Sequence, residues 1–226
     1  MSGNSDKNPG RTDVKYIAIE GVIGAGKTTL AKKIKDKLNA ELILEQFEAN
    51  PFLENFYSDR KRFAFQTQMF FLINRFKQQE VLNQENLFTD FYVCDYTFEK
   101  DRIFAYLNLN GEELKLYESI FPLLARNLRK PDLVVYLQSS VERLMFNIKK
   151  RSRRIEKNLT RSYIEELSEA YNHFFFRYNS TPLLIVNSTE IDFVNSEKDF
   201  EELFNQIFRN DRGLIEYFKP ESRRIE

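Results

Sequence analysis

Tyr16-Ile-Ala-Ile-Glu20-Gly21-Val-Ile-Gly-Ala-Gly26-Lys27-Thr28 is a short apolar run that passes directly into the spacing G-x-x-x-x-G-K-[ST]. The glycines let successive backbone N–H groups turn inward onto phosphate oxygens, and a following helix adds the positive end of its dipole. That helix is expected from Leu30, Ile34 and Leu38 at four-residue intervals, with Lys32, Lys33, Asp36 and Lys37 on the other face. The stretch therefore reads as a strand, a phosphate-binding P-loop and a helix. Gly21, Val22, Ile23, Gly24, Ala25, Gly26, Lys27, Thr28 and Thr29 are the expected ATP-binding residues. Lys27 is expected to reach the β- and γ-phosphates, and the Thr28 hydroxyl to serve Mg2+.

With 226 residues the chain suits one α/β domain. Lys+Arg and Asp+Glu both number 34, so bulk electrostatic attraction to nucleic acid or an anionic membrane is not expected. The 22 phenylalanines, with no tryptophan, point to a core and pocket walls of flat apolar rings. A single cysteine, Cys94, excludes an intramolecular disulfide, fits a reducing compartment, and reads as a small buried hydrophobe. His173, the only histidine, has no metal-ligand spacing around it and reads as structural. No apolar run approaches the ~18 residues of a membrane span. The polar residues 1–13 read as a disordered tail, 14–209 as the folded domain, and 210–226 as a tail without an assigned structure. Cytoplasm is the expected location.

Five apolar runs, at 16–20, 42–45, 92–95, 133–138 and 183–187, alternate with helical patterns. The helices are expected near 61–84, 98–109, 111–128, from Ser140 onward, 162–178 and 197–208. Alternating β and α implies a three-layer α/β/α fold of the P-loop NTPase type, with a five-stranded parallel sheet. Ligands in such sheets bind beyond the carboxyl ends of the strands. The second run ends in Glu45 and the third in Asp95, so both carboxylates fall at the edge that holds the P-loop. One could accept a proton from an attacking hydroxyl and the other hold Mg2+ or its waters. Either could instead merely cap the helix that follows.

Four segments together resemble the deoxynucleoside kinases that act on deoxycytidine, deoxyguanosine and deoxyadenosine, most closely the bacterial members. They are Ile19 to Thr29, the run from Glu45 to Tyr57, Arg62-Phe-Ala-Phe-Gln-Thr-Gln68, and Arg151-Ser-Arg-Arg-Ile-Glu156. The resemblance implies ATP- and Mg2+-dependent phosphorylation of the 5′-hydroxyl of a deoxyribonucleoside in nucleotide salvage, by a homodimer. It implies Glu45 as general base, with Lys27, Arg151 and Arg153 as the other catalytic groups, the two arginines closing over the transferring phosphoryl. Tyr57 and Glu156 match the pair on the sugar 3′-hydroxyl, and Gln68 the amide that reads the base. Arg75, two helical turns beyond Gln68, matches an arginine of members that accept purines and cytidine. Its acidic partner falls on Asp101 if the segment is aligned from Asp95, whereas alignment from Ile103-Phe-Ala105 slips the register onto Lys100. Asp95 is then left to share Mg2+ with Thr28.

The chain departs from the family at Asp95-Tyr96-Thr97, where the usual middle residue is an arginine. Lys100 or Arg102, about one helical turn on, are the candidates for the missing charge. Two other readings compete. A thymidylate-like nucleoside monophosphate kinase shares the P-loop but needs extra cations for the acceptor phosphate, which Glu45 would repel. A non-catalytic kinase-like ATP-binding subunit would explain Tyr96. A GTPase is disfavoured because no Asn-Lys-x-Asp motif occurs.

Overall fold

Every residue of the first strand, β1 (Tyr16–Gly21), is buried, as are most of β4 (Leu133–Gln138) and β5 (Leu183–Asn187). Side chains along a strand point to alternate faces, so burial of consecutive residues means that both faces of the sheet are covered. The computed structural model describes residues 14–83 and 91–220. The tail expected at 1–13, Gln84 at the end of one expected helix, and residues 221–226 lie outside the described residues.

Between these strands run α1 (Lys27–Leu38), β2 (Glu41–Ile43), α2 (Leu53–Ser58), α3 (Arg60–Gln79), β3 (Tyr92–Cys94), α4 (Lys100–Asn108) and α5 (Gly111–Ala125). After β4 come α6 (Val141–Arg151) and α7 (Arg161–Phe176), and after β5 come α8 (Glu197–Ile207) and β6 (Ile215–Phe218). Ser140, Thr160 and Ser196 cap α6, α7 and α8, each hydroxyl accepting the amide three residues on.

All pairings are parallel, in the order β2-β3-β1-β4-β5-β6. The sheet therefore has six strands, not the expected five. β6 lies along β5, with Ile185 opposite Tyr217. It was not read as a strand because it is a half-exposed edge, Ile-Glu-Tyr-Phe, with no continuous apolar run. The short α2 was missed for a similar reason, having only Leu53 and Phe56 buried.

The strand order runs outward from β1 in both directions, through β3 on one side and β4 on the other. A crevice opens at such a reversal, beyond the carboxyl ends of the strands. The P-loop leaves β1 at this point. Asp95 follows β3 and Glu45 follows β2 on the same side. The main core packs Leu30, Ile34, Leu72, Leu144, Leu167 and Leu203 from the helices against the sheet.

Candidate active site

The P-loop is held from two directions. Asn147 on α6 donates to the Gly24 carbonyl at 2.8 Å, and the Phe193 ring lies against Gly26. Gly24 and Gly26 have φ of +92° and +94°, which side chains rarely tolerate. A Cβ at Gly24 would also meet the Leu144 carbonyl oxygen at 2.8 Å. The Lys27 ammonium donates to Gly21 O at 2.6 Å and Val22 O at 3.2 Å. Burial and the nearby Lys100 charge lower its pKa to about 8, against the pull of Glu20, Glu45 and Asp95.

Asp95 ties three elements together. Its Oδ2 accepts the Thr28 hydroxyl at 2.6 Å, and its Oδ1 accepts the Glu45 backbone N–H at 2.8 Å. Burial pushes its carboxyl up, while the Thr28 bond pulls the other way. A hydroxyl and a carboxylate, both hard oxygen donors, suit Mg2+. Among the described residues no three acidic, histidine or cysteine groups form a closed metal cage.

Glu45 lies between two cations from different helices. Its Oε1 accepts Arg75 Nε at 2.8 Å and sits 2.6 Å from Arg75 Nη2, and its Oε2 accepts Lys100 Nζ at 2.7 Å. Burial would raise its pKa, but Lys100 and Arg75 outweigh this and hold it at about 2. Arg75 also pairs with Asp101, which is fully buried and accepts Gln68 Nε2 at 2.5 Å on its side chain and 2.9 Å on its backbone carbonyl. Of the two registers left open by the sequence, the structure pairs Arg75 with Asp101 and gives Lys100 to Glu45. Arg102 is exposed, donates to the Tyr106 hydroxyl at 3.4 Å and lies 5.7 Å over the Phe121 ring.

A cavity of about 300 Å³ joins these groups. Lys27, Thr28, Glu45, Asp95 and Lys100 line it, as do Gln68 and Arg75. So do Tyr57, Arg151, Arg153 and Glu156. Asp101 lies just behind the wall, and Phe71 and Phe104 supply rings on which the Arg75 guanidinium rests at 4.6 and 5.8 Å. Arg151 forms a two-point pair with Glu156, Nε to Oε2 at 2.9 Å and Nη2 to Oε1 at 2.5 Å. Arg153 stands 3.8 Å from the same carboxylate and 4.8 Å over the Phe47 ring. The expected phosphate arginines and the expected sugar carboxylate are thus bonded to each other. Tyr57 stacks edge-on to Tyr163, with ring centroids 6.2 Å apart; burial raises its hydroxyl pKa, as to a smaller degree do Tyr163 and Glu156.

Glu20 was not singled out by the sequence reading. Its fully buried carboxylate at the end of β1 accepts Thr97 N at 2.6 Å and the Thr97 hydroxyl at 3.0 Å. The signal was available, since Glu20 is a charged residue closing an otherwise apolar strand. Tyr96 is buried, and its hydroxyl donates to Gln78 Oε1 at 3.1 Å; Gln78 in turn donates to Leu44 O at 3.1 Å. Cys94 is a buried free thiol whose pKa burial raises, and His173 is exposed on α7.

A P-loop, a hydroxyl–carboxylate pair beside it and two arginines at the cavity wall, set on a parallel sheet with aromatic rings around the cavity, are the arrangement of a P-loop phosphotransferase. The chain belongs to the deoxynucleoside kinase family, whose sequence model matches residues 17–211, and it is an enzyme that phosphorylates deoxynucleosides. It is 37% identical over 193 residues to deoxyguanosine kinase of Bacillus subtilis, a match covering 83% of this chain and 93% of that one. It is 36% identical over 191 residues to deoxyadenosine kinase of Dictyostelium discoideum, covering 81% and 75% respectively. The solved structure of deoxyadenosine kinase from M. mycoides with bound dATP superposes with a TM-score of 0.73 and 31% identity, over 84% of this chain and 98% of that one.

Proposed function

We propose that the chain transfers the γ-phosphoryl group of ATP to the 5′-hydroxyl of a purine or cytosine deoxynucleoside, with Glu45 as the general base. The observation that carries this reading is the position of Glu45. Its carboxylate lines the cavity, while its backbone is bonded to the Asp95 carboxylate that also holds Thr28 of the P-loop. A hydroxyl that approaches Glu45 is thereby brought beside the phosphate loop, which converts a bimolecular encounter into a positioned one.

The P-loop amides and Lys27 bind the β- and γ-phosphates. Thr28 and Asp95 would hold Mg2+, which supplies neutralisation of the phosphate charge. Arg151 and Arg153 leave Glu156 for the phosphoryl oxygens, and Glu156 with Tyr57 then takes the sugar 3′-hydroxyl. Gln68 presents its amide to the base edge. Arg75, fixed by Asp101, offers N–H donors that suit guanine, adenine or cytosine. Deoxyguanosine and deoxyadenosine are the substrates named for similar enzymes.

Ile73 on α3 with Leu116 and Leu123 on α5 leave an exposed apolar face, which supports a homodimer through these helices. No helix among the described residues is long and apolar enough to cross a membrane. The single buried thiol supports a reducing compartment, the cytoplasm. Assay of the four deoxynucleosides with ATP and Mg2+ tests the proposal. Turnover of deoxyguanosine or deoxyadenosine well above thymidine is expected, and turnover confined to a nucleoside monophosphate would contradict it.

A further inference from the structure

We propose that Lys100 is a further catalytic residue, the cation that faces the transferring phosphoryl group from the Glu45 side of the cavity. The inference rests on the kinase reading above.

Lys100 is the first residue of α4, and the start of that helix is anchored to the tip of β1. Its backbone N–H donates to the Thr97 hydroxyl at 3.2 Å, and Thr97 is bonded through both N and Oγ1 to buried Glu20. The ammonium is buried, lines the cavity and, among the described residues, has one hydrogen-bond partner, Glu45 Oε2. An ammonium has three N–H donors, so two remain for oxygens of a bound ligand.

The two cations on Glu45 take one carboxylate oxygen each and share the Phe104 ring, at 5.8 and 5.9 Å from its centroid. Arg75 is locked to Asp101, which also accepts Gln68, on the wall formed by α3. Lys100 has no second carboxylate among the described residues, and it lines the cavity together with Lys27, Thr28 and Asp95. Of the two cations considered for this role, Arg102 is exposed, packs against Tyr106 and Phe121, and does not line this cavity. Tyr96 braces the end of β2 through Gln78 and contributes no charge.

In the transfer the O5′–P bond forms while the bond from phosphorus to the β–γ bridging oxygen breaks, its electron pair leaving with ADP. The 5′-hydroxyl proton passes to Glu45. Once Glu45 is neutral, Lys100 has lost its counter-charge and bonds a non-bridging phosphoryl oxygen. Preorganised donors of this kind act on the transition state more than on bound substrate.

The experiment compares Lys100→Met, Lys100→Gln, Lys100→Arg, Lys100→Ala and Glu45→Gln in steady-state kinetics with ATP and the preferred deoxynucleoside. Lys100→Met should lower kcat by roughly 10²–10³, with both KM values within about threefold. Lys100→Arg should keep kcat within about tenfold. Lys100→Gln retains a donor to Glu45 without charge, covers a Met variant that fails to fold, and should lose as much kcat. Lys100→Ala should regain activity with added ethylammonium and not with tetramethylammonium at equal ionic strength. Near-normal kcat in the neutral variants, or a loss confined to KM, overturns the role of Lys100. Near-normal kcat in Glu45→Gln overturns the base assignment instead, so the two failures are distinguishable.

Discussion

The Glu45 backbone N–H and the Asp95 carboxylate are bonded at 2.8 Å, so the end of β2 and the end of β3 hold a fixed distance at the mouth of the cavity. The other oxygen of Asp95 binds Thr28 at 2.6 Å, which extends the link to the P-loop. The proposed base and the phosphate loop are therefore positioned by one buried carboxylate.

Asp95→Asn keeps an acceptor for Glu45 and removes the charge. Because burial makes that charge costly, stability should be unchanged or raised, while kcat falls and half-maximal activity needs more Mg2+. Thermal melting and a Mg2+ titration check this. A variant with normal activity at low Mg2+ would remove Asp95 from metal binding.

Arg75→Met should leave Asp101 buried without its cation and cost about 3–5 kcal/mol. Arg75→Met combined with Asp101→Asn should recover much of that loss. Both variants should shift preference toward thymidine, which competition assays among the four deoxynucleosides would measure. An unchanged substrate profile would remove Arg75 from base selection.

The glycine at 24 should not accept a side chain. Gly24→Ala places a Cβ 2.8 Å from the Leu144 carbonyl at a φ of +92°, so it should destabilise the fold by about 1–3 kcal/mol and weaken ATP binding at least tenfold. Calorimetric titration with ATP tests the second effect, and wild-type affinity would contradict it.

The Glu45 carboxyl has its pKa depressed from an ordinary 4.5 to about 2 by its two cations, against the effect of burial. Its contribution to stability is complete above the unfolded-state value and is lost as pH falls through that window. The stability advantage of wild type over Glu45→Gln should therefore shrink between about pH 4.5 and 2, by at most about 3 kcal/mol. Urea midpoints across this range measure it, and a pH-independent difference would contradict it.

Much of the fold was legible because parallel strands buried on both faces must be apolar, and β1, β4 and β5 are. β6 was not legible, since an edge strand can alternate Ile215 and Tyr217 with Glu216 and still pair. The phosphate loop could be read from spacing alone. Glu45 and Asp95 could be read from their places at strand ends, because topology sends those ends to one crevice. The same rule pointed to Glu20, at the end of β1. The partner of Lys100 could not be read, because one residue of helical register separates facing Glu45 from facing Arg75. The Arg151–Glu156 bond was hidden for a different reason: the family resemblance assigns each residue to a ligand, and only coordinates reveal that they face each other.

Single-turnover phosphoryl transfer by Glu45→Gln, measured at saturating ATP, Mg2+ and deoxynucleoside, tests the central claim most directly. The account predicts ATP affinity within about threefold of wild type and a transfer rate lowered by roughly 10²–10⁴. A transfer rate close to wild type would contradict it.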